Sequence, residues 1–130
     1  MLLKIIKKHI NTDEIDLLVP VPLSRKRQFE RGYNQSQLLA EYIGNYINRP
    51  VISNNLIRVK ETTPQFKLTR EERLVNLKDA FFVKEASVIK GKNIILIDDI
   101  TTTCTTFEEC SKMLKKAGSG KIYCAVLARD

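Results

Sequence analysis

The sequence predicts an α/β protein, a three-layer fold in which a mostly parallel sheet is flanked by helices. Three observations carry this. Short, largely β-branched apolar runs bounded by turn residues, Ile94–Ile97 the plainest, read as strands buried on both faces, as parallel strands are. These runs alternate with segments whose apolar residues recur at three-and-four spacing, which is the pattern of β/α units. A chain of 130 residues with 43% hydrophobic and 28% charged content is enough for one domain with its own core. There is no internal repeat and no low-complexity linker. Residues 1–130 are therefore read as one unit, an N-terminal helix in 1–15 and the core in 16–129.

Lysines interrupt the apolar residues of Met1–Ile10, a poor secretory signal and a good amphipathic helix that packs on the core. No apolar run approaches the roughly 18 to 20 residues of a membrane span, so no membrane partner is expected. Asp16–Leu23 is a second buried strand, which Pro20 and Pro22 should stop near Val19–Val21. Ser24–Gln35 carries Arg25, Lys26, Arg27 and Arg31; it reads as a solvated basic loop or, from its place straight after a buried strand, as an anion site. Asn34 or Ser36 caps a helix whose Leu38, Leu39, Tyr42, Ile43, Tyr46 and Ile47 should face the core, with no ligand implied. Asn48-Arg49-Pro50 ends it.

Val51-Ile52 and Leu56–Val59 read as a short strand and its continuation around an Asn54-Asn55 turn. Glu61–Leu77 is polar up to Thr69, which forms a capping box with Glu72; the polar part is a surface connection or a lid. Ala80–Val83 is a short strand, and Ser87–Ile89 leads into the next one. Phe107, Cys110, Met113, Leu114 and Ala117 share one helix face, Gly118 suits a left-handed cap, and Ile122–Ala128 is the last strand.

Chemistry concentrates in Gly91–Thr106, GKNIILIDDITTTCTT. The buried run ends in Asp98 and Asp99, and five threonines fall within Thr101–Thr106, just before a helix. Ligands of open α/β sheets sit beyond the carboxyl ends of the strands. A helix N-terminus offers unpaired N–H groups and about half a positive charge, and threonine hydroxyls add uncharged donors, which together make a phosphate cradle. Two carboxylates beside it can accept hydrogen bonds from a sugar diol or hold Mg²⁺ through water. The plainer alternative is a capping threonine run with surface aspartates.

Composition bounds the partners. The net charge of +7 suits phosphorylated ligands or nucleic acid without choosing between them. No aromatic stripe of the kind used by single-strand binders is evident. The three cysteines include no CxxC pair and His9 is the sole histidine, which excludes a zinc site built from this sequence. That cysteine usage suggests a reducing cytoplasm, with Cys110 and Cys124 as small core residues.

Ile94–Thr106 resembles the phosphoribosyl pyrophosphate (PRPP) signature of type I phosphoribosyltransferases. The words VPVPL, RKR, ERGYNQ, TTPQ, LTREER and NL resemble, more narrowly, the ComF competence-protein branch of that family. The resemblance runs from about Asp16 to Arg129 and implies transfer or sensing of ribose 5-phosphate. It implies that Asp98 and Asp99 hold the ribose hydroxyls as the catalytic pair. It further implies that Thr101, Thr102, Thr103, Cys104, Thr105 and Thr106 hold the 5-phosphate. Ser24, Arg25, Lys26 and Arg31 would bind pyrophosphate, with Gln65, Arg70 and Arg73 in a mobile segment closing from above. Mg²⁺ would arrive through pyrophosphate and water, with no direct protein ligand. The family usually has glycine where this chain has Cys104, whose Cβ would crowd a phosphate. It usually also carries an N-terminal zinc ribbon that this sequence lacks, so a truncation or short form is expected. Competence proteins and single-stranded DNA are the further partners implied, and an oligomer is left open. The readings that stand are a PRPP-dependent transferase, a non-catalytic sensing module, and an accessory of DNA uptake.

Overall fold

A computed structural model of the chain describes residues 2–23, 34–58, 69, 71, 80–101 and 105–129. Helix α1 (Leu2–His9) is followed by a 3-10 turn (Thr12–Glu14). Then come β1 (Leu17–Pro20), α2 (Gln35–Ile47), β2 (Leu56–Arg58) and β3 (Phe81–Val83). A helical turn, α3 (Ala86–Ile89), leads to β4 (Ile94–Thr101), α4 (Thr105–Lys116) and β5 (Ile122–Arg129).

The sheet runs β1-β4-β5, all parallel, with Leu17 opposite Ile94 and Ile94 opposite Ile122. Val51 extends it past β1: Leu18 N donates to Pro50 O and Ile52 N to Leu18 O, both at 2.9 Å. β2 and β3 form a separate antiparallel pair, Leu56 opposite Val83. The mostly parallel three-layer architecture read from the sequence is the one observed.

Strand alternation sorts the apolar residues into two cores. Leu17, Val19, Val21, Ile94 and Leu96 pack on Phe107, Cys110 and Leu114 of α4 and on Leu56 and Phe81 of the antiparallel pair. Leu18, Ile95, Ile97 and Ala125 pack on Ile6 of α1 and on Ala40 and Ile43 of α2. Ile94–Ile97 are fully buried, each at 0% exposure, which explains an apolar run without alternation. Burying each such side chain stabilises the fold by about 1.5–3 kcal/mol.

At the amino end of the sheet, Asn93 joins the three strands. Its backbone N–H donates to Asp16 Oδ2 (2.8 Å), its Nδ2 donates to Glu14 O (2.9 Å), and its Oδ1 accepts from Lys121 N (2.9 Å). Its carbonyl also accepts from Asp16 N at 2.9 Å.

Four sequence expectations need correcting. β4 does not stop at the two acids. Its pairing with β5 continues from Asp98 opposite Val126 to Thr101 opposite Arg129, so the carboxylates lie within the strand. Val51-Ile52 and Leu56–Arg58 are not a strand and its continuation: Val51 bridges Leu18 beside β1, whereas Leu56–Arg58 pairs with Phe81–Val83. Cys110 is buried as expected, whereas Cys124 is exposed. β5 is the last strand of the sheet, and Cys124 meets α4 at Ser111 Oγ, 3.9 Å from its Sγ.

The fourth concerns α2. Its packed face is Ser36, Ala40, Ile43 and Gly44, while Leu38, Tyr42 and Tyr46 are 52%, 63% and 57% exposed. Close approach to the sheet decides the rotation. A Cβ at Gly44 would lie 2.8 Å from Arg49 O and 2.9 Å from Val51 Cγ2. The small residues must therefore face in, and the large ones on the opposite side are left in solvent. Asn48 ends α2 in the left-handed region at φ 59°, and Gly118 does the same after α4 at φ 93°. Thr69 is described but Glu72 is not, so the capping-box expectation lies outside the described residues.

Candidate functional site

The carboxyl ends of β1 and β4 meet the amino end of α2. Val21 N donates to Ile97 O at 2.8 Å, carrying the β1–β4 pairing past Pro20. Asn34 closes the junction as the cap of α2. Its Oδ1 accepts from Ser36 N (2.9 Å) and Gln37 N (3.4 Å), and its Nδ2 donates to Val21 O (3.2 Å). Asn34 and Ser36 are both buried, so this cap also fixes the helix start against the end of β1.

Ser36 then reaches the acidic pair. Its Oγ donates to Asp98 Oδ1 at 2.9 Å, across 62 residues of sequence. The same oxygen accepts from Asp99 N at 2.9 Å. Burial pushes the Asp98 carboxyl up from its ordinary 3.8 to about 7. The adjoining Asp99 carboxyl adds to the rise, while the hydrogen bonds from Ser36 and from Asp99 N pull against it. Near neutral pH Asp98 thus exchanges between an acceptor-only carboxylate and a carboxylic acid that can also donate. Cys110, on the α4 face beneath, is buried, and burial together with the Asp98 charge pushes its thiol well above the ordinary range. It is a packing residue and not a nucleophile.

Of the predicted site residues, the structure brings Asp98 and Asp99 to the junction. Thr101 is the last residue of β4, and Thr105 and Thr106 open α4. Thr105 is buried and Thr106 half-buried, so Thr106 is the more accessible hydroxyl of the two. Thr102, Thr103 and Cys104 lie outside the described residues. So do Ser24, Arg25, Lys26 and Arg31 of the basic loop, and Gln65, Arg70 and Arg73 of the polar segment. Sequence reasoning missed Ser36, because α2 was read as a packing helix only. The available signal was a small hydroxyl residue two places after the cap, in the first turn of the helix that follows the basic loop.

Among the described residues, no group of three or more His, Cys, Asp or Glu side chains could hold a metal ion. The protein donors here are the two aspartates. Mg²⁺ suits such a pair when the ligand's phosphates and water complete its shell.

No protein-family model matches the chain. Curated proteins do match. Competence protein F of Haemophilus influenzae is 37% identical over 115 residues, 88% of this chain and 50% of that protein. Competence protein ComFC of Bacillus subtilis is 38% identical over 106 residues, 82% of this chain and 41% of its own length. The DNA utilization protein YhgH of Escherichia coli K12 is 31% identical over 114 residues, 88% of this chain and 49% of that protein. This chain spans about half the length of these relatives. Among solved structures, the purine phosphoribosyltransferase of Pyrococcus horikoshii aligns with 98% of this chain and 69% of its own, at TM-score 0.58 and 14% identity. The phosphoribosylpyrophosphate synthetase of Mycobacterium smegmatis aligns with 98% of this chain and 32% of its own, at TM-score 0.60 and 19% identity. At these identities the solved structures establish the fold alone.

Proposed function

We propose that this chain, a homologue of the ComF-type competence proteins with the type I phosphoribosyltransferase fold, binds PRPP or a closely related phosphorylated ribose at the β1–β4–α2 junction. One observation carries the reading: Asp98 is fixed in the carboxyl half of a parallel strand by Ser36 Oγ and Asp99 N, in the strand that precedes α4. Both of those hydrogen bonds enter Asp98 Oδ1, and the Asp99 carboxyl bonds the same side chain, so the two acids would meet a ligand as a pair.

In this reading Asp98 and Asp99 take the two ribose hydroxyls, and the segment Thr101–Thr106 takes the 5-phosphate with backbone and hydroxyl donors. The cations Arg25, Lys26 and Arg31, with Ser24, take pyrophosphate, and Arg70 and Arg73 with Gln65 approach from the polar segment. Mg²⁺ carried by the ligand would neutralise pyrophosphate charge. Where turnover occurs, the chain's own contribution is positioning, with fixed donors and cations around the leaving group. The names of the relatives, competence protein and DNA utilization protein, associate those proteins with DNA uptake and use. They support a role for this domain in the same setting.

Titration calorimetry with PRPP and Mg²⁺ tests the proposal. Micromolar binding that is lost in Asp98→Ala/Asp99→Ala is expected; no heat at millimolar PRPP would leave a scaffold without this ligand. Cys104→Gly should tighten binding, and unchanged or weaker affinity would remove the crowding argument.

A further inference from the structure

The outer edge of β5 is not absorbed by the sugar-phosphate site. Among the described residues β5 closes one side of the sheet, with β4 as its strand neighbour. Ile94 N donates to Lys121 O, and this sets the ladder: residues 121, 123 and 125 turn their backbone groups towards β4, while Ile122, Cys124 and Val126 turn theirs outward. Edge strands that stay unpaired are usually short, or interrupted by charge or proline. β5 is eight residues long, and between Lys121 and Arg129 it has no charged residue, no proline and no glycine. α1 roofs this edge: Ile5, Ile6, His9 and Ile10 face residues 123–126 across a groove of about 360 Å³. Two large apolar side chains stand exposed along the same flank, Ile5 at 51% and Leu127 at 57%. The lysines of α1 take no part in lining the groove, and Lys7 turns instead to α2, its Nζ 4.5 Å from the centroid of the Tyr46 ring.

We propose that this edge is a self-association surface, where β5 pairs antiparallel with β5 of a second copy about a two-fold axis at Cys124, joining the two sheets into one. The outward backbone groups of Ile122, Cys124 and Val126 fix that centre. With Cys124 opposite the partner's Cys124, Ile122 meets the partner's Val126, Tyr123 meets the partner's Ala125, and Lys121 meets the partner's Leu127. Tyr123 and Ala125 lie on the α1 side of the sheet, and opposite residues share a face. Each copy's Tyr123 therefore packs beside the other's Ala125, large against small, in the groove that α1 roofs. This register opposes no like charges, whereas one centred on Ala125 would set Lys121 against the partner's Arg129. In a chain of net charge +7, an uncharged flank is where two copies meet without repulsion. Charge also argues against other occupants: an anionic lipid surface or an acidic peptide finds no lysine or arginine in the groove. The proposal goes beyond PRPP binding and does not depend on it, because the two surfaces share no residue.

The test is sedimentation velocity of the whole chain over about 1 to 200 µM, where mass action should show a monomer–dimer equilibrium. Leu127→Lys, at an exposed position, should weaken the dimer at least tenfold, because it sets a cation opposite the partner's Lys121. Adding Lys121→Glu to that variant should restore dimerisation to within threefold of wild type, a rescue that this register alone predicts. A short bis-maleimide should join two wild-type chains through Cys124, read by peptide mass spectrometry, and should not join Leu127→Lys chains. Circular dichroism confirms that each variant is folded. Asp98→Asn should dimerise as wild type does, so failure of the PRPP reading leaves this one standing, and the reverse. A wild-type chain that stays monomeric throughout the range overturns the proposal. So does a dimer that Leu127→Lys leaves intact, or one that cross-links through Cys104 and not through Cys124.

Discussion

Replacing Asp98 by asparagine keeps the shape of the side chain and both incoming hydrogen bonds, from Ser36 Oγ and Asp99 N, while removing the titration. In the folded chain burial raises this carboxyl from 3.8 to about 7. Between those values the native state holds a proton that the unfolded chain has released. Wild-type stability therefore falls as pH rises through about 4 to 7 and levels off above. At about 1.36 kcal/mol per pH unit the full climb corresponds to about 4 kcal/mol. Sharing of the proton with Asp99 and residual solvent access bring the expected change to about 2–4 kcal/mol. Urea unfolding at pH 4.5, 6 and 8 reads it directly. Asp98→Asn should gain on wild type steadily across that range, and the gain should stop near pH 8. A stability difference between the two proteins that stays constant with pH, or that shrinks as pH rises, would refute a buried, proton-holding Asp98.

Four further outcomes follow from the geometry. Ser36→Ala should cost about 1.5 kcal/mol at pH 8 and less at pH 5, since it removes a donor that matters most to the charged carboxylate; denaturant titration at the two pH values compares them. Asn34→Ala should cost about 1–2 kcal/mol in thermal or urea unfolding, because one side chain caps α2 and ties it to Val21. Gly44→Ala should lower the unfolding midpoint by an amount equivalent to about 1–3 kcal/mol, from contact with Arg49 O and Val51 Cγ2; a neutral result would mean that α2 can lift off the sheet freely. In native thiol labelling mapped by mass spectrometry, Cys124 should react readily and Cys110 only after unfolding.

The sheet was legible because its strands are written as unbroken apolar runs. Ile94–Ile97 has no polar position to confuse the period, and parallel pairing between two helix layers is the simplest way to bury it all. The helix caps at Asn34 and Gly118 were legible for a similar local reason. What escaped was everything decided across the fold. The rotation of α2 follows from Gly44 fitting against Arg49 and Val51, and a periodicity count sees the tyrosines as good apolar residues and the glycine as nothing. The continuation of β4 through Asp98 depends on β5 offering partners as far as Arg129, which the polar residues conceal. The acids themselves were found from their place after a strand, whereas their hydroxyl partner, Ser36, is 62 residues away, and its place in the first turn of α2 does not say which strand it meets.

The Asn93 junction lies at the edge of the sheet opposite the acidic pair. It sets the alignment of all three strands by bonds that do not involve either helix layer. A residue swap there, or an added side chain at Gly120, which would run into Asn93 Oδ1, must disturb every strand at once. At the opposite rim the described bonds run from the start of α2 to one strand at a time, Asn34 to Val21 and Ser36 to Asp98. A change at the amino rim therefore acts on the register of the whole sheet, whereas a change at Ser36 acts on a single carboxylate.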